Sequence, residues 1–269
     1  MDGHHHIQGD DRKLKSFSEL LQSSEFQPTI SFQLNSVTMD ELEEQVEIAN
    51  PGEVHCPVIL LLDTSRSMSV HISSMNEAVP KFGDDIMNNE LARKRVELSV
   101  VQFGGSVSVD HEFSSVEEFD PPQLSANGGT PMGKAILRGI DLLEERKEKY
   151  KERGVDYYRP FFFLFTDGQP TDMQPGGNKW NEVAEALKEG TEGNHFVPLL
   201  VGTDDSSVDR LQRLAVEGWP VLQLEGFQFD EMFDWLSTSV VKTSESEPGE
   251  QVDVEPSEGA LTLNPSKAS

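Results

Sequence analysis

Between residues 58 and 240 the chain alternates short, wholly apolar runs with longer stretches whose apolar residues recur every three or four positions. Val58, Ile59, Leu60, Leu61 and Leu62 form the first run, which Asp63 ends; such a run predicts a parallel strand buried on both faces. Ile72, Met75, Val79, Phe82 and Ile86 then predict a helix packed on a sheet, with Pro80 expected to kink it. Residues 96–103 predict a second buried strand. Gly104 and Gly105 turn the chain into residues 106–113, where Val107, Val109 and His111 alternate with polar neighbours, as in an antiparallel hairpin at a sheet edge. Met132, Ile136, Ile140 and Leu143 predict a helix opened by Pro131, with charged residues 144–153 as its solvated end. Residues 161–165, 196–201 and 221–224 predict three more strands, and Phe229, Met232, Phe233, Leu236 and Val240 a last helix. Strands alternating with helices imply an α/β, doubly wound fold: a mostly parallel central sheet with one antiparallel edge strand and helices on both faces.

The flanks read differently. In the leader, Leu14, Phe17, Leu20 and Leu21 recur at helical spacing, residues 29–34 alternate like a short strand, and residues 40–47 are acidic. Beyond Lys242 the composition turns to Ser, Glu, Pro and Gly. The expected organisation is an acidic leader, 1–56, partly disordered or an arm on the core; the α/β domain, 57–241; and a disordered acidic tail, 242–269. His4, His5 and His6 are read as a tag remnant or a solvated terminus, not a metal site.

Charge narrows the choice of partners. A formal net charge of −26 and a pI near 4.5 repel phosphate backbones, which argues against nucleic acid, and create a field that attracts cations. The single cysteine, Cys56, excludes an intramolecular disulfide, suggests a reducing compartment, and is read as a small apolar residue at a strand edge. Residues 1–12 carry Asp2, Asp10 and Asp11 without an apolar run, unlike a secretory signal, and no later segment reaches the roughly 20 apolar residues of a membrane helix. The expectation is a cytoplasmic protein without a membrane partner.

In open parallel sheets, ligands bind beyond the carboxyl ends of the strands, near the point where strand order reverses. The residues expected there are Asp63-Thr64-Ser65-Arg66-Ser67 after the first strand, Gly128-Gly129-Thr130-Pro131 after the hairpin region, and Thr166-Asp167-Gly168 after the phenylalanine-rich strand. They offer hydroxyl oxygens and few carboxylates. That donor set suits Mg²⁺, with Mn²⁺ and Ca²⁺ as the other candidates, and leaves the ion electrophilic enough to accept a carboxylate from outside. In isolation Asp63, Ser65, Ser67 and Thr130 would read as helix N-caps, and Asp167-Gly168 as a turn.

Asp63, Ser65, Ser67, Thr130 and Asp167, in this order and at these strand ends, resemble the metal-ion-dependent adhesion site (MIDAS) of von Willebrand factor A domains. The resemblance implies that Ser65, Ser67 and Thr130 are direct ligands. Asp63 and Asp167 would act mainly through water and hydrogen bonds, and the sixth position would be left for a partner's carboxylate. Arg66 departs from the glycine that many relatives carry there; a positive φ at that position would strain the loop, and its guanidinium could grip the incoming carboxylate or weaken cation binding. Leu91-Ala-Arg-Lys-Arg-Val-Glu97, Gly128-Gly-Thr-Pro-Met-Gly133, Tyr157-Tyr-Arg-Pro160 and Thr166-Asp-Gly-Gln-Pro-Thr-Asp172 resemble bacterial TerY-like proteins of tellurium-resistance and stress clusters. That resemblance implies a cytoplasmic adaptor that binds a protein partner presenting an acidic side chain, with a protein kinase or a PP2C-like phosphatase as candidate partners.

Three readings compete. A metal-ion-dependent binding module predicts partner binding lost with EDTA. A Mg²⁺-dependent phosphohydrolase would use Asp63 as nucleophile but lacks the second carboxylate two residues on, where Ser65 stands. A scaffold with a degenerate site would bind no cation. Gly128 to Ala135 imitates a phosphate-binding P-loop until Ala135 replaces its hydroxyl residue, which argues against nucleotide hydrolysis. Asp172 is read as a solvated loop carboxylate, and Tyr157, Tyr158 and Arg159 as a cover for the end of the sheet.

Overall fold

The computed structural model describes residues 48–216, 219, 221–224 and 229–247, and the backbone of 252–254 and 261–263. The chain divides into two units, Met1–Glu44 and Gln45–Ser269, and every described residue belongs to the second. The leader's helical and strand patterns, its acidic stretch and the histidine tract lie outside the described residues.

Six strands form one sheet: β1 (Cys56–Asp63), β2 (Val96–Gly104), β3 (Ser106–Ser115), β4 (Phe161–Thr166), β5 (Val197–Gly202) and β6 (Val221–Gln223), in the order β3-β2-β1-β4-β5-β6. All neighbours are parallel except β2 and β3, which pair antiparallel as the edge hairpin. Among the described residues six α-helices accompany them: α1 (Ile72–Met87), α2 (Ala92–Arg95), α3 (Met132–Arg153), α4 (Asn178–Glu192), α5 (Asp205–Gln212) and α6 (Phe229–Glu245). Pro80 lies inside α1, which continues through it. Beyond Lys242, α6 runs to Glu245, and a small antiparallel pair follows, β7 (Val252–Val254) with β8 (Leu261–Leu263).

The unbroken apolar runs follow from a sheet covered on both sides. Val58, Leu60 and Leu62 of β1 pack with Phe161, Phe163 and Phe165 of β4 beneath α1 and α6. Ile59 and Leu61 join Phe162 and Leu164 on the other face, under α3, α4 and α5. Successive side chains of a strand point to opposite faces, so only a two-sided core removes every residue of β1 from water.

The order reverses at β1, which pairs with β2 on one side and β4 on the other. From β1 the chain passes to α1 on one face; from β4 it passes to α4 on the opposite face. The two loops therefore part above the adjacent strand ends and leave a crevice between them.

The other end of the sheet is closed by polar groups. Tyr150 of α3 stacks on His55 and Tyr157, and its hydroxyl donates to Glu97. Arg146 Nε donates to the same carboxylate at 2.6 Å. The buried guanidinium of Arg159 donates to the carbonyls of Thr191 and Phe196. The Tyr157-Tyr158-Arg159 group thus covers the sheet's end.

Candidate metal centre

Three loops meet in the crevice, joined by backbone hydrogen bonds. Asn127 N donates to Thr64 O at 2.7 Å, Arg66 N to Gly128 O at 3.1 Å and Gly105 N to Gly129 O at 2.7 Å. Glycine is required where they touch. Gly128 has φ +62°, and a Cβ there would lie 2.4 Å from the Gly105 Cα.

Asp63 ends β1 fully buried. Its Oδ1 accepts the Ser65 N–H at 2.8 Å, and its Oδ2 accepts the Thr166 hydroxyl at 2.6 Å. Thr166 Oγ1 in turn accepts the Gly168 N–H at 3.0 Å. Burial pushes the Asp63 carboxyl up to about 6; the hydrogen bonds from Thr166 and Ser65 oppose that rise, and the nearby Asp167 charge adds to it. Ser65 Oγ and Ser67 Oγ lie 3.0 Å apart, and Ser67 Oγ donates to Asp167 Oδ1 at 2.7 Å. Thr130 enters from the third loop: a methyl group added at Gly168 would come 2.8 Å from Thr130 Oγ1 and 3.3 Å from Asp63 Oδ2. All five residues singled out from the sequence therefore stand around one point.

The Ser65 and Thr130 hydroxyls do not serve as helix caps. Ser65 is the N-cap of the 3₁₀ turn Arg66–Val70 without a side-chain cap bond. The start of α3 is capped by Asp172, whose carboxylate accepts the Gly133 and Lys134 N–H groups at 3.1 and 2.8 Å. Asp172 is thus a helix cap reached across the chain, in place of the solvated carboxylate expected. Thr166, absent from the predicted site, supports it by holding Asp63; its place beside Asp167 at the strand end was the available signal. Arg66 shows no positive φ: it begins the 3₁₀ turn and is exposed, so the condition under which it would strain the loop is not met.

The donor chemistry fits a small hard cation. The Asp167 charge lies close enough to Asp63 to make its ionisation costlier, the hydroxyls of Ser65, Ser67 and Thr130 stand beside the two carboxylates, and neither carboxylate is in an ion pair among the described residues. No cluster of three or more His, Cys, Asp or Glu side chains exists among the described residues, so a thiolate–imidazole zinc site or a carboxylate-rich calcium cage is not what converges here.

The comparisons agree with this architecture. The fold is similar to that of the pilus adhesin SpaC from Lactobacillus rhamnosus GG in its open conformation, at 11% identity over 81% of this chain and 38% of that one, TM-score 0.55. It is also similar to a point mutant of the PilB minor pilin from Streptococcus sanguinis, at 12% identity over 71% of this chain and 62% of that one, TM-score 0.50. The chain spans less than two thirds of either protein, and at these identities the likeness concerns the fold alone. Among curated protein sequences none matches. These likenesses bear on the α/β domain and not on the narrower TerY-like resemblance. The model of the von Willebrand factor type A domain matches residues 58–228, well over half of the sequence, and the chain belongs to that family.

Proposed function

We propose that this protein is a metal-ion-dependent adaptor that binds a protein partner through a bridging cation, and that the cation is Mg²⁺. Ser65, Ser67 and Thr130 would hold it directly through their hydroxyls. Asp63 and Asp167 would orient them and balance the charge through hydrogen bonds and water. When bound, the ion supplies an electrophilic position that a carboxylate of the partner can fill. The observation that carries this reading is the release of these hydroxyls from capping: Asp172, not Thr130, serves α3, and Ser65 Oγ faces Ser67. Arg66 would lie at the rim, exposed and able to steady the incoming carboxylate.

The buried environment of Asp63 weighs against the phosphohydrolase reading. A nucleophilic carboxylate needs one oxygen free to attack, and here both accept hydrogen bonds within a fully buried site. A generic phosphatase substrate should not be turned over; turnover that Asp63→Asn abolishes would replace this proposal with the enzyme. Among the described residues no helix is long and apolar enough to cross a membrane.

The TerY-like motifs support a setting in bacterial tellurium-resistance or stress signalling in the cytoplasm, with a protein kinase or PP2C-like phosphatase as candidate partner. The direct test is affinity purification of partners in Mg²⁺, repeated in EDTA and with Thr130→Ala. Capture should be lost in both. Capture unchanged in both overturns the proposal.

A further inference from the structure

The β4–α4 loop that carries Asp167 continues as one wall of a second cleft, of about 580 Å³, whose other wall is α5. Its floor is apolar, with Trp180 and Met173 both buried and Pro170 beside them. Arg210 of α5 and Arg213 just after it line the cleft, against the single carboxylate of Asp209. The cleft touches the metal centre through its own lining: Met173 packs where a Cβ on Gly133 would lie, 3.1 Å away, in the first turn after Thr130.

Two arginines here need a reason in a chain of net charge −26. Many basic side chains of the described residues are spent in ion pairs, among them Arg95, Arg138 and Arg146. Arg210 and Arg213 are in none. Arg210 donates one weak bond to Ser206 Oγ at 3.3 Å and feels the Asp204 charge, yet its Nε is buried without a hydrogen-bond partner. A buried donor left unmatched is destabilising until a ligand satisfies it. The guanidinium geometry matches a carboxylate, and the floor matches a flat or aliphatic side chain.

We infer that this cleft is a second recognition site for the same partner segment. An acidic stretch whose first carboxylate completes the cation would lay an apolar side chain over Trp180 and Met173, and place a second carboxylate against Arg210 and Arg213. The inference rests on the metal-bridged reading above and adds the sequence character of the partner: two acidic residues flanking an apolar one. Two linked contacts bind far more tightly than either alone when their spacing matches the sites.

The test uses the full chain in Mg²⁺ and fluorescently labelled, end-capped synthetic peptides, read by anisotropy. One peptide has a single Glu in a Gly-Ser background. The others add Phe and a second Glu at increasing separation from the first. At one spacing, affinity should rise by about tenfold or more over the single-Glu peptide. Arg210→Gln with Arg213→Gln should remove that gain while leaving single-Glu binding and Mn²⁺ affinity by calorimetry unchanged. If no spacing gives a gain, or the gain survives in the double variant, the cleft is not a second site. Should EDTA then still abolish single-Glu binding, the bridging cation stands without it. If EDTA leaves all peptide binding intact, the metal-bridged reading falls and takes this inference with it.

Discussion

At the residue scale, Asp63 has its charge arranged by its neighbours before any ligand arrives. Thr166 satisfies the oxygen that faces β4, and the Ser65 amide satisfies the other. Thr166→Val removes one donor at nearly constant volume and leaves Asp63 Oδ2 buried and unmatched. It should lower stability by about 1–3 kcal/mol, measured by denaturant melts without cation. Because it disturbs a group behind the ligands, cation affinity should fall by about 10–100-fold in calorimetry. Unchanged affinity would mean that Asp63 takes no part in holding the ion. Gly168→Ala acts by space instead, since its methyl group would press on the Thr130 hydroxyl at 2.8 Å. It should cost about 1–3 kcal/mol of stability and weaken Mn²⁺ binding, read by the paramagnetic broadening of nearby resonances.

At the element scale, α3 links the two ends of the domain. Its first turn follows Thr130 and is capped from the β4–α4 loop by Asp172; its last turns carry Arg146 and Tyr150 to Glu97, and Gly154 stops it in the left-handed region at φ 66°. Asp172→Ala should cost about 1 kcal/mol, the usual worth of a lost cap, visible as a lower Tm. The same change removes the side-chain tie between the β4–α4 loop and the loop that carries Thr130, leaving the bond from Thr171 N to Thr130 O at 2.8 Å to hold them. Cation affinity should therefore drop as well, whereas a cap that served the helix alone would leave it unchanged. The separate stretches Gly128–Gly133 and Thr166–Asp172 are coupled by this contact together with the Thr171 N–H bond to the Thr130 carbonyl.

At the scale of the whole molecule, the sheet separates two polar ends around a dry centre. The lower end holds a charged cluster: Glu97 is nearly fully buried with Arg146, His55 and Tyr150 around it. Burial alone would raise the Glu97 carboxyl, but the close His55 ring, the hydrogen bond from Arg146 and the Arg146 charge outweigh it and hold the group below its usual range. A carboxyl depressed in the folded state contributes stability above its unfolded value, near 4.3, and loses it as pH falls through the folded value. Thermal melts from pH 7 downward should show a fall in Tm setting in below about pH 4. Glu97→Gln should cost about 3–5 kcal/mol at pH 7, the usual cost of breaking a buried ion pair, because the buried Arg146 guanidinium would lose the Glu97 carboxylate. It should also flatten that part of the acid limb; an equally steep limb in the variant would place the acid sensitivity elsewhere.

Much of this protein was legible before any coordinates. The apolar runs at 58–62 and 161–165 specify strands buried on both faces, since only a covered sheet removes successive side chains from water. The same runs mark where strands end, so Asp63 and Asp167 could be recognised as residues at a common rim. What linear order could not decide was which hydroxyls are free and which groups stand behind them. The cap from Asp172, the bond from Thr166 to Asp63 and the ordinary backbone of Arg66 all depend on where loops from distant strands come to rest. Arg210 and Arg213, in and just after α5, are of the same kind: along the chain they are surface charges at a helix, and the sheet order alone brings them beside the loop after β4. Periodicity is a property of neighbours in sequence, whereas hydrogen-bond partnership and charge pairing are properties of neighbours in space.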